Sequence, residues 1–154
     1  MSDTSANHPP VPWAFRRKTY IASEALLRIL HKAVDTYGGD VEGFIVYMSI
    51  TCASVGGALR SPDNAANPPG PMPDQMYRPV SRRAIAASTG LPRETVRRKV
   101  ALFVERGLLV SDHAGVRIRR GLLEQPEHGA FAKTMVREFL RAAEDIQRAG
   151  AKPG

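Results

Sequence analysis

The sequence predicts a mainly helical fold carrying one small β-hairpin, and three observations lead there. Apolar residues recur at three- and four-residue spacing in several segments, as they do in helices with one buried face. Glycines stand where those segments stop, at Gly38-Gly39, Gly90 and Gly107, positions suited to a left-handed helix terminus. Two short runs within Leu108–Arg120 are joined by His113-Ala114-Gly115, which is hairpin chemistry. A length of 154 residues suffices for one domain with a sizeable core.

Residues 1–20 read as a flexible N-terminal arm. Its first half, "MSDTSANHPPVP", is polar and proline-containing, while Trp13 and Phe15 at its end are expected to dock on the body. Residues 21–60 hold two helices for the core or for dimerisation. The first is expected over Ala22–Tyr37, with Ser23 capping its start. Leu26, Leu30, Ala33 and Tyr37 share one face, with Leu27 and Val34 beside them. The second, capped by Asp40, covers Val41–Leu59 and is apolar almost all round, so it is expected to be packed on several sides. Gly56-Gly57 near its end either admits another element closely or frays it. Residues 61–79 form a proline-rich loop, read as long and exposed. Residues 121–150 end in an amphipathic helix whose apolar stripe is Phe131, Met135, Phe139, Ala142 and Ile146.

Between them, residues 80–120 hold the most informative stretch. Ser81 is placed to cap a short helix running to Thr89, with Ile85 facing inward. Gly90 makes the turn, Leu91 points to the core, and Pro92 stands at the start of the next helix, where its missing N–H costs nothing. That helix covers Arg93–Arg106 and Gly107 ends it. On a helical wheel Val96, Val100 and Phe103 form the inner face, with Val104 alongside, while Glu94, Arg97, Arg98, Ala101 and Glu105 face water. Leu102 fits neither face and marks a contact with another element or a partner subunit.

Charge is concentrated in the same place. The chain carries a net +7. From Arg78 to Arg120 eleven lysines and arginines stand against Glu94, Glu105 and Asp112, a surplus of eight, while the remainder is negative by one. A local cationic excess of this kind is the footprint of a phosphate-binding surface. A merely solubilising charged face is the plainer alternative.

The run "IAASTGLPRETVRRKVALFVERGLLV", Ile85–Val110, followed by a hairpin, resembles the winged helix-turn-helix of bacterial transcription regulators. The resemblance implies a sequence-specific double-stranded DNA-binding regulator whose second helix enters the major groove. It assigns Arg93, Thr95, Arg97 and Arg98 to base edges and neighbouring phosphates, arginine pairing bidentately with guanine. It assigns Ser81, Arg82 and Arg83 to phosphates, and Arg117 and Arg119 on the hairpin to a neighbouring phosphate or the minor groove. Helices before and after the central unit resemble the MarR type of regulator, in which terminal helices interlock into a homodimer. The hairpin is shorter than that family's wing and lacks its acidic-arginine signature, so the family's ligand pocket is not carried over. The alternative function is a winged-helix protein-interaction module in a replication, partition or chromosome-associated assembly.

Other chemistry finds little support. The single cysteine, Cys52, builds neither a disulfide framework nor a cysteine-based metal cage and is expected to be a buried small hydrophobe. His8, His31, His113 and His128 lack zinc spacing, and His31 reads as a surface or interface residue. No glycine-rich phosphate loop, nucleophile elbow or paired-acid motif is present, so an enzyme, a cofactor and a metal are not expected. Glu144 and Asp145 read as solvated. Trp13, Tyr20, Tyr37 and Tyr47 either line an effector pocket or pack in the core; no effector is specified. The uncharged run Phe44–Leu59 has sixteen residues, short of the about 20 a membrane span needs, and no secretory signal is visible. A cytoplasmic, nucleoid-associated protein is the expectation.

Overall fold

A computed structural model describes residues 9–38, 40–64 and 70–150. Among the described residues are five α-helices, α1 (Trp13–Tyr37), α2 (Val41–Leu59), α3 (Arg82–Thr89), α4 (Arg93–Glu105) and α5 (Pro126–Gly150). Strands β1 (Leu109–Asp112) and β2 (Gly115–Ile118) form a two-stranded antiparallel sheet. The fold is therefore mainly helical with one small hairpin. The chain divides into two compact units, residues 32–132 and the segments on either side of them.

In the unit formed by residues 32–132, local chemistry sets most boundaries. Asp40 caps α2, its carboxylate accepting the Gly43 N–H. Ser81 caps α3, its Oγ accepting the Ala84 N–H at 3.1 Å. Gly90 closes α3 with φ 70° and Gly107 follows α4 with φ 72°, left-handed values that a side chain would strain. Gly115 opens β2 at φ 137°, and a Cβ there would lie 2.7 Å from the Val80 carbonyl oxygen. That clearance lets Val80 pair with Val116 through two backbone hydrogen bonds of 2.8 and 2.9 Å. The hairpin is thereby fastened to the residue before the α3 cap.

An aromatic cluster lies within the core of this unit. Tyr37 stacks on Tyr47 at 4.4 Å and meets Phe131 edge-on at 5.2 Å, while Tyr47 lies 5.7 Å from Phe103. Core packing thus accounts for Tyr37 and Tyr47. Around it lie buried aliphatic residues, among them Val46, Ile50, Ile85, Val96, Val100 and Val116. Ser54, buried on α2, accepts the Ile118 N–H on its Oγ at 3.2 Å and the Arg78 N–H on its carbonyl at 2.9 Å.

Three expectations are corrected within this unit. First, α2 is not covered on all sides. Phe44, Val46, Tyr47 and Ile50 are buried, but Val41, Ile45 and Leu59 are exposed, and so is Cys52. Composition shows that a helix is apolar all round; it cannot show that its neighbours cover only one side. By length and composition α2 would suffice to cross a bilayer, which the sixteen-residue run alone understated. Second, the 61–79 loop is not uniformly exposed. It contains 3-10 turns at Pro62–Asn64 and Asp74–Met76, the second packs on α2, and Met72, Met76 and Tyr77 are half-buried. Residues 65–69 of that loop lie outside the described residues. Third, Leu91 is half-buried and Val104 is exposed, so the inner face of α4 is narrower than expected. Gly56 and Gly57 do admit close neighbours, and these are guanidinium groups. A Cβ on Gly56 would come within 2.9 Å of Arg60, and one on Gly57 within 3.5 Å of Arg78.

The other unit contains the first part of α1 and most of α5. The arm assigned to residues 1–20 is largely helical where it is described, because α1 starts at Trp13 and not at Ala22. The Pro12 carbonyl accepts the Phe15 and Arg16 N–H groups at 3.0 and 3.1 Å. No proline or glycine interrupts the chain from Trp13 to Tyr37, so the helix continues unbroken. Ser23 is therefore no cap; its Oγ donates to the Thr19 carbonyl at 2.9 Å within the helix. Trp13 is 86% exposed, so it does not dock. Residues 1–8 lie outside the described residues.

Of the stripe expected on α1, Ala33 and Tyr37 are buried, but in the first part of the helix the buried face is offset by one residue. Ala25 and Ile29 are buried, whereas Leu26 and Leu27 are exposed. In α5, Ala142 and Glu138 are buried, and Glu138 accepts the Arg28 Nε–H at 2.7 Å. Phe139, expected in the inward stripe, is 56% exposed beside exposed Val136 and Leu140. Met135 and Ile146 are half-buried.

Candidate nucleic-acid interface

The sequence places one element at the centre of the candidate site, and α4 carries it. Val96, Val100 and Phe103 anchor its underside. Glu94, Arg97, Arg98 and Ala101 are exposed on the other sides, and Arg93 is exposed at the helix start, on the flank next to Val100. Arg93 and Arg97 are four residues apart and follow one another along the helix, with Arg98 a further step round.

These arginines are not equivalent. Arg97 is held by Glu94, donating Nε–H to Oε2 at 2.8 Å and Nη2–H to Oε1 at 2.6 Å. The Arg97 guanidinium lowers the Glu94 pKa from its ordinary value, and Glu94 in turn raises that of Arg97. Arg93 and Arg98 make no hydrogen bond or ion pair among the described residues, although Glu94 and Asp40 feel the Arg98 charge. Thr95 is half-buried and lies toward the flank that also carries Lys99 and Arg106.

That flank holds α4 in place. Lys99 Nζ donates to Asp40 Oδ2 at 2.7 Å. Burial alone would raise the Asp40 pKa, but Lys99 and the Gly43 N–H outweigh it and bring it below the usual carboxylate range. Arg106 donates Nη1–H to the Tyr37 carbonyl at 2.6 Å, with Nη2 3.4 Å from the Thr36 carbonyl. These are end carbonyls of α1, which have no partner within their own helix. Two of the eleven cations in the basic segment therefore serve the fold.

The remaining assigned residues surround α4. Ser81 Oγ is used as the α3 cap. Arg82 and Arg83 follow it and are exposed; Arg82 Nη2 donates to Ser111 Oγ on β1 at 2.9 Å, while Arg83 has no partner among the described residues. The hairpin closes through only His113 and Ala114, with Asp112 Oδ1 accepting the Ala114 N–H at 2.8 Å. Arg117 pairs in register with Val110 and is half-buried, on the sheet face opposite buried Val116 and Ile118. Arg119 is exposed and its Nη1 donates to the Gly107 carbonyl at 3.3 Å. Since α3 packs on α4, α4 on β1, and β2 bridges to Val80, all nine assigned residues belong to one unit.

The sequence reading gave no role to His128 or to the Glu94–Arg97 pair. His128 is buried beneath Tyr37, its Nδ1 3.4 Å from the phenol oxygen, and burial pushes its pKa below the ordinary value. A histidine spaced 91 residues from its partner leaves no local signal. The i,i+3 spacing of Glu94 and Arg97 was visible in the sequence. Comparison of the chain with protein-family models, curated proteins and solved structures found no match.

Proposed function

We propose that residues 80–120 form a winged helix-turn-helix that binds duplex DNA, with α4 as the reading helix and the β1–β2 hairpin as a short wing. The observation that carries this reading is the exposed surface of α4, where Arg98 stands unpaired on the side opposite buried Val96, Val100 and Phe103, and Arg93 stands unpaired at the helix start. Free guanidinium groups on a helix held rigidly by its other face suit base edges in the major groove. Arg83 beside the α3 cap suits a phosphate, and the Ser81 cap orients that helix start. The order helix, paired residue, helix, helix, hairpin supports the winged arrangement. A two-residue hairpin turn favours phosphate contact by Arg117 and Arg119 over deep entry into a groove. Regulation of transcription in the cytoplasm follows as the biological role of such a protein.

We further propose that the protein acts as a homodimer on a pseudo-palindromic site. The support is the exposure of Leu26 and Leu27 on α1 and of Val136, Phe139 and Leu140 on α5. Large apolar side chains exposed at three- and four-residue spacing on one helix, as on α5, suit an association surface. A protein-interaction module is the alternative, favoured by Leu102 and Val104 exposed at the far end of α4. Binding-site selection from a random duplex library separates the two. A recovered two-fold motif supports the regulator; recovery of no preferred sequence favours the interaction module.

A further inference from the structure

The one acid on the first turns of α4 has no obvious place on a surface that meets phosphates. Glu94 adds repulsion where attraction is needed, and it is the only acidic residue between Asp74 and Glu105. It is not a salt bridge at the margin of the basic surface. On the helical wheel it lies between Arg97 and Arg98, within the outward face itself. Both of its carboxylate oxygens are taken by Arg97.

The donor geometry of Arg97 decides what that pairing does. A guanidinium has five N–H donors in a rigid plane. Glu94 occupies the side-on edge, Nε–H with one Nη2–H. The end-on edge, Nη1–H with the second Nη2–H, stays free among the described residues. Guanine presents O6 and N7 as two adjacent acceptors in the major groove, and an arginine fork binds them together. Arg97 can therefore remain paired with Glu94 and still offer a complete bidentate edge to one guanine. An unpaired arginine on a flexible stem would also reach the nearest phosphate. Pairing with a carboxylate removes that option, because the pair is close to neutral and the carboxylate repels phosphate oxygens.

We infer that Glu94 is a positioning and specificity-determining residue, which holds Arg97 for end-on reading of a guanine and keeps it off the phosphate backbone. This rests on the DNA-binding reading above. In it Arg93 and Arg98 offer unpaired guanidinium groups, and the Glu94–Arg97 pair adds one guanine preference of its own. Glu94 touches no base in this arrangement and acts through its neighbour.

The test uses the full-length protein and a random-sequence 20-bp duplex library (a probe length of about two helical turns). Selection with the wild-type protein, Glu94→Ala, Glu94→Gln and Arg97→Ala gives a base preference at each position. Anisotropy titrations on the selected and on a scrambled duplex give the affinities. Arg97→Ala should lose one guanine preference per half-site. Glu94→Ala should blur the same position, lowering the selected-to-scrambled affinity ratio roughly tenfold. Binding of Glu94→Ala to the scrambled duplex should tighten, with a salt slope steeper by about one phosphate contact. Glu94→Gln keeps the length of the side chain without its charge and should fall between. Far-ultraviolet circular dichroism of each variant shows that α4 is intact, and Glu94→Gln serves if the alanine variant is not folded. Unchanged base preference in Glu94→Ala or Glu94→Gln would overturn the inference, and so would loss of a neighbouring cytosine with the guanine retained. Absence of any duplex binding by the wild-type protein would instead sink the DNA-binding reading itself.

Discussion

The two units differ in how they place their large apolar residues. Residues 32–132 enclose Phe103, Ile50 and Ile85 almost fully and hold six rings in one connected cluster, while Val41, Ile45 and Leu59 on α2 stay exposed. In the other unit Ile29 is buried with the small residues Ala25 and Ala142, and Leu27, Phe139 and Leu140 are turned outward. The first pattern is that of a core complete in itself. The second is that of a surface made to be covered, since burying a Leu or Phe side chain is worth about 1.5–3 kcal/mol. We propose that the first unit binds DNA and that the second joins two chains.

Paired truncations test that contrast most strongly. Phe103→Ala should cost about 3–5 kcal/mol in denaturant unfolding, because it opens a cavity in an aromatic core. Phe139→Ala, at concentrations where the chain is monomeric, should change folding by no more than about 0.5 kcal/mol, as exposed substitutions do. Equal losses at the two positions would erase the distinction between the units. Leu27→Glu combined with Phe139→Glu should leave a single-chain mass in light scattering. A dimer that survives both changes would move the interface to the exposed stripe of α2, where Val41, Ile45 and Cys52 lie.

Smaller effects separate the structural cations from the free ones. Arg98→Ala should weaken binding to a selected duplex by about 1–3 kcal/mol and leave the unfolding midpoint unchanged. Arg106→Ala should do the reverse, since its guanidinium is spent on the end of α1. Asp40→Ala should cost roughly 1 kcal/mol of stability through loss of the α2 cap. The smallest effect expected is on pH dependence. Burial keeps the His128 pKa below its ordinary 6.5. The unfolded chain therefore takes up that proton first as pH falls. Its contribution to stability is complete above 6.5 and declines below that value until the folded imidazole titrates as well. His128→Gln should flatten that part of the pH–stability profile, and a profile identical to wild type would remove His128 as its source.

What the sequence made legible follows the range of the interactions involved. Ser81, Gly90 and Gly107 act on their immediate neighbours, so the α3–α4 pair could be read from them almost to the residue. The inner face of α4 was legible because charged residues mark its other side. Helix α1 carries apolar residues round more than half its circumference, so periodicity could not choose between Leu26 and Ala25 as the buried position. The same breadth hid the outward side of α5 behind Phe139. Lys99 and Arg106 were counted with the basic surface because their partners lie 59 and 69 residues away. The burial of His128 depends on the same kind of distant contact.

The salt dependence of duplex binding tests the central claim most directly. With a 20-bp duplex, the logarithm of the association constant should fall linearly with the logarithm of salt concentration, by about 0.9 for each phosphate neutralised. Arg83→Ala should reduce that slope by about one contact, and Arg93→Ala combined with Arg97→Ala and Arg98→Ala should abolish preference for a selected sequence. Binding that ignores salt, or a sequence preference that survives removal of Arg93, Arg97 and Arg98 together, would contradict α4 as a DNA-reading helix.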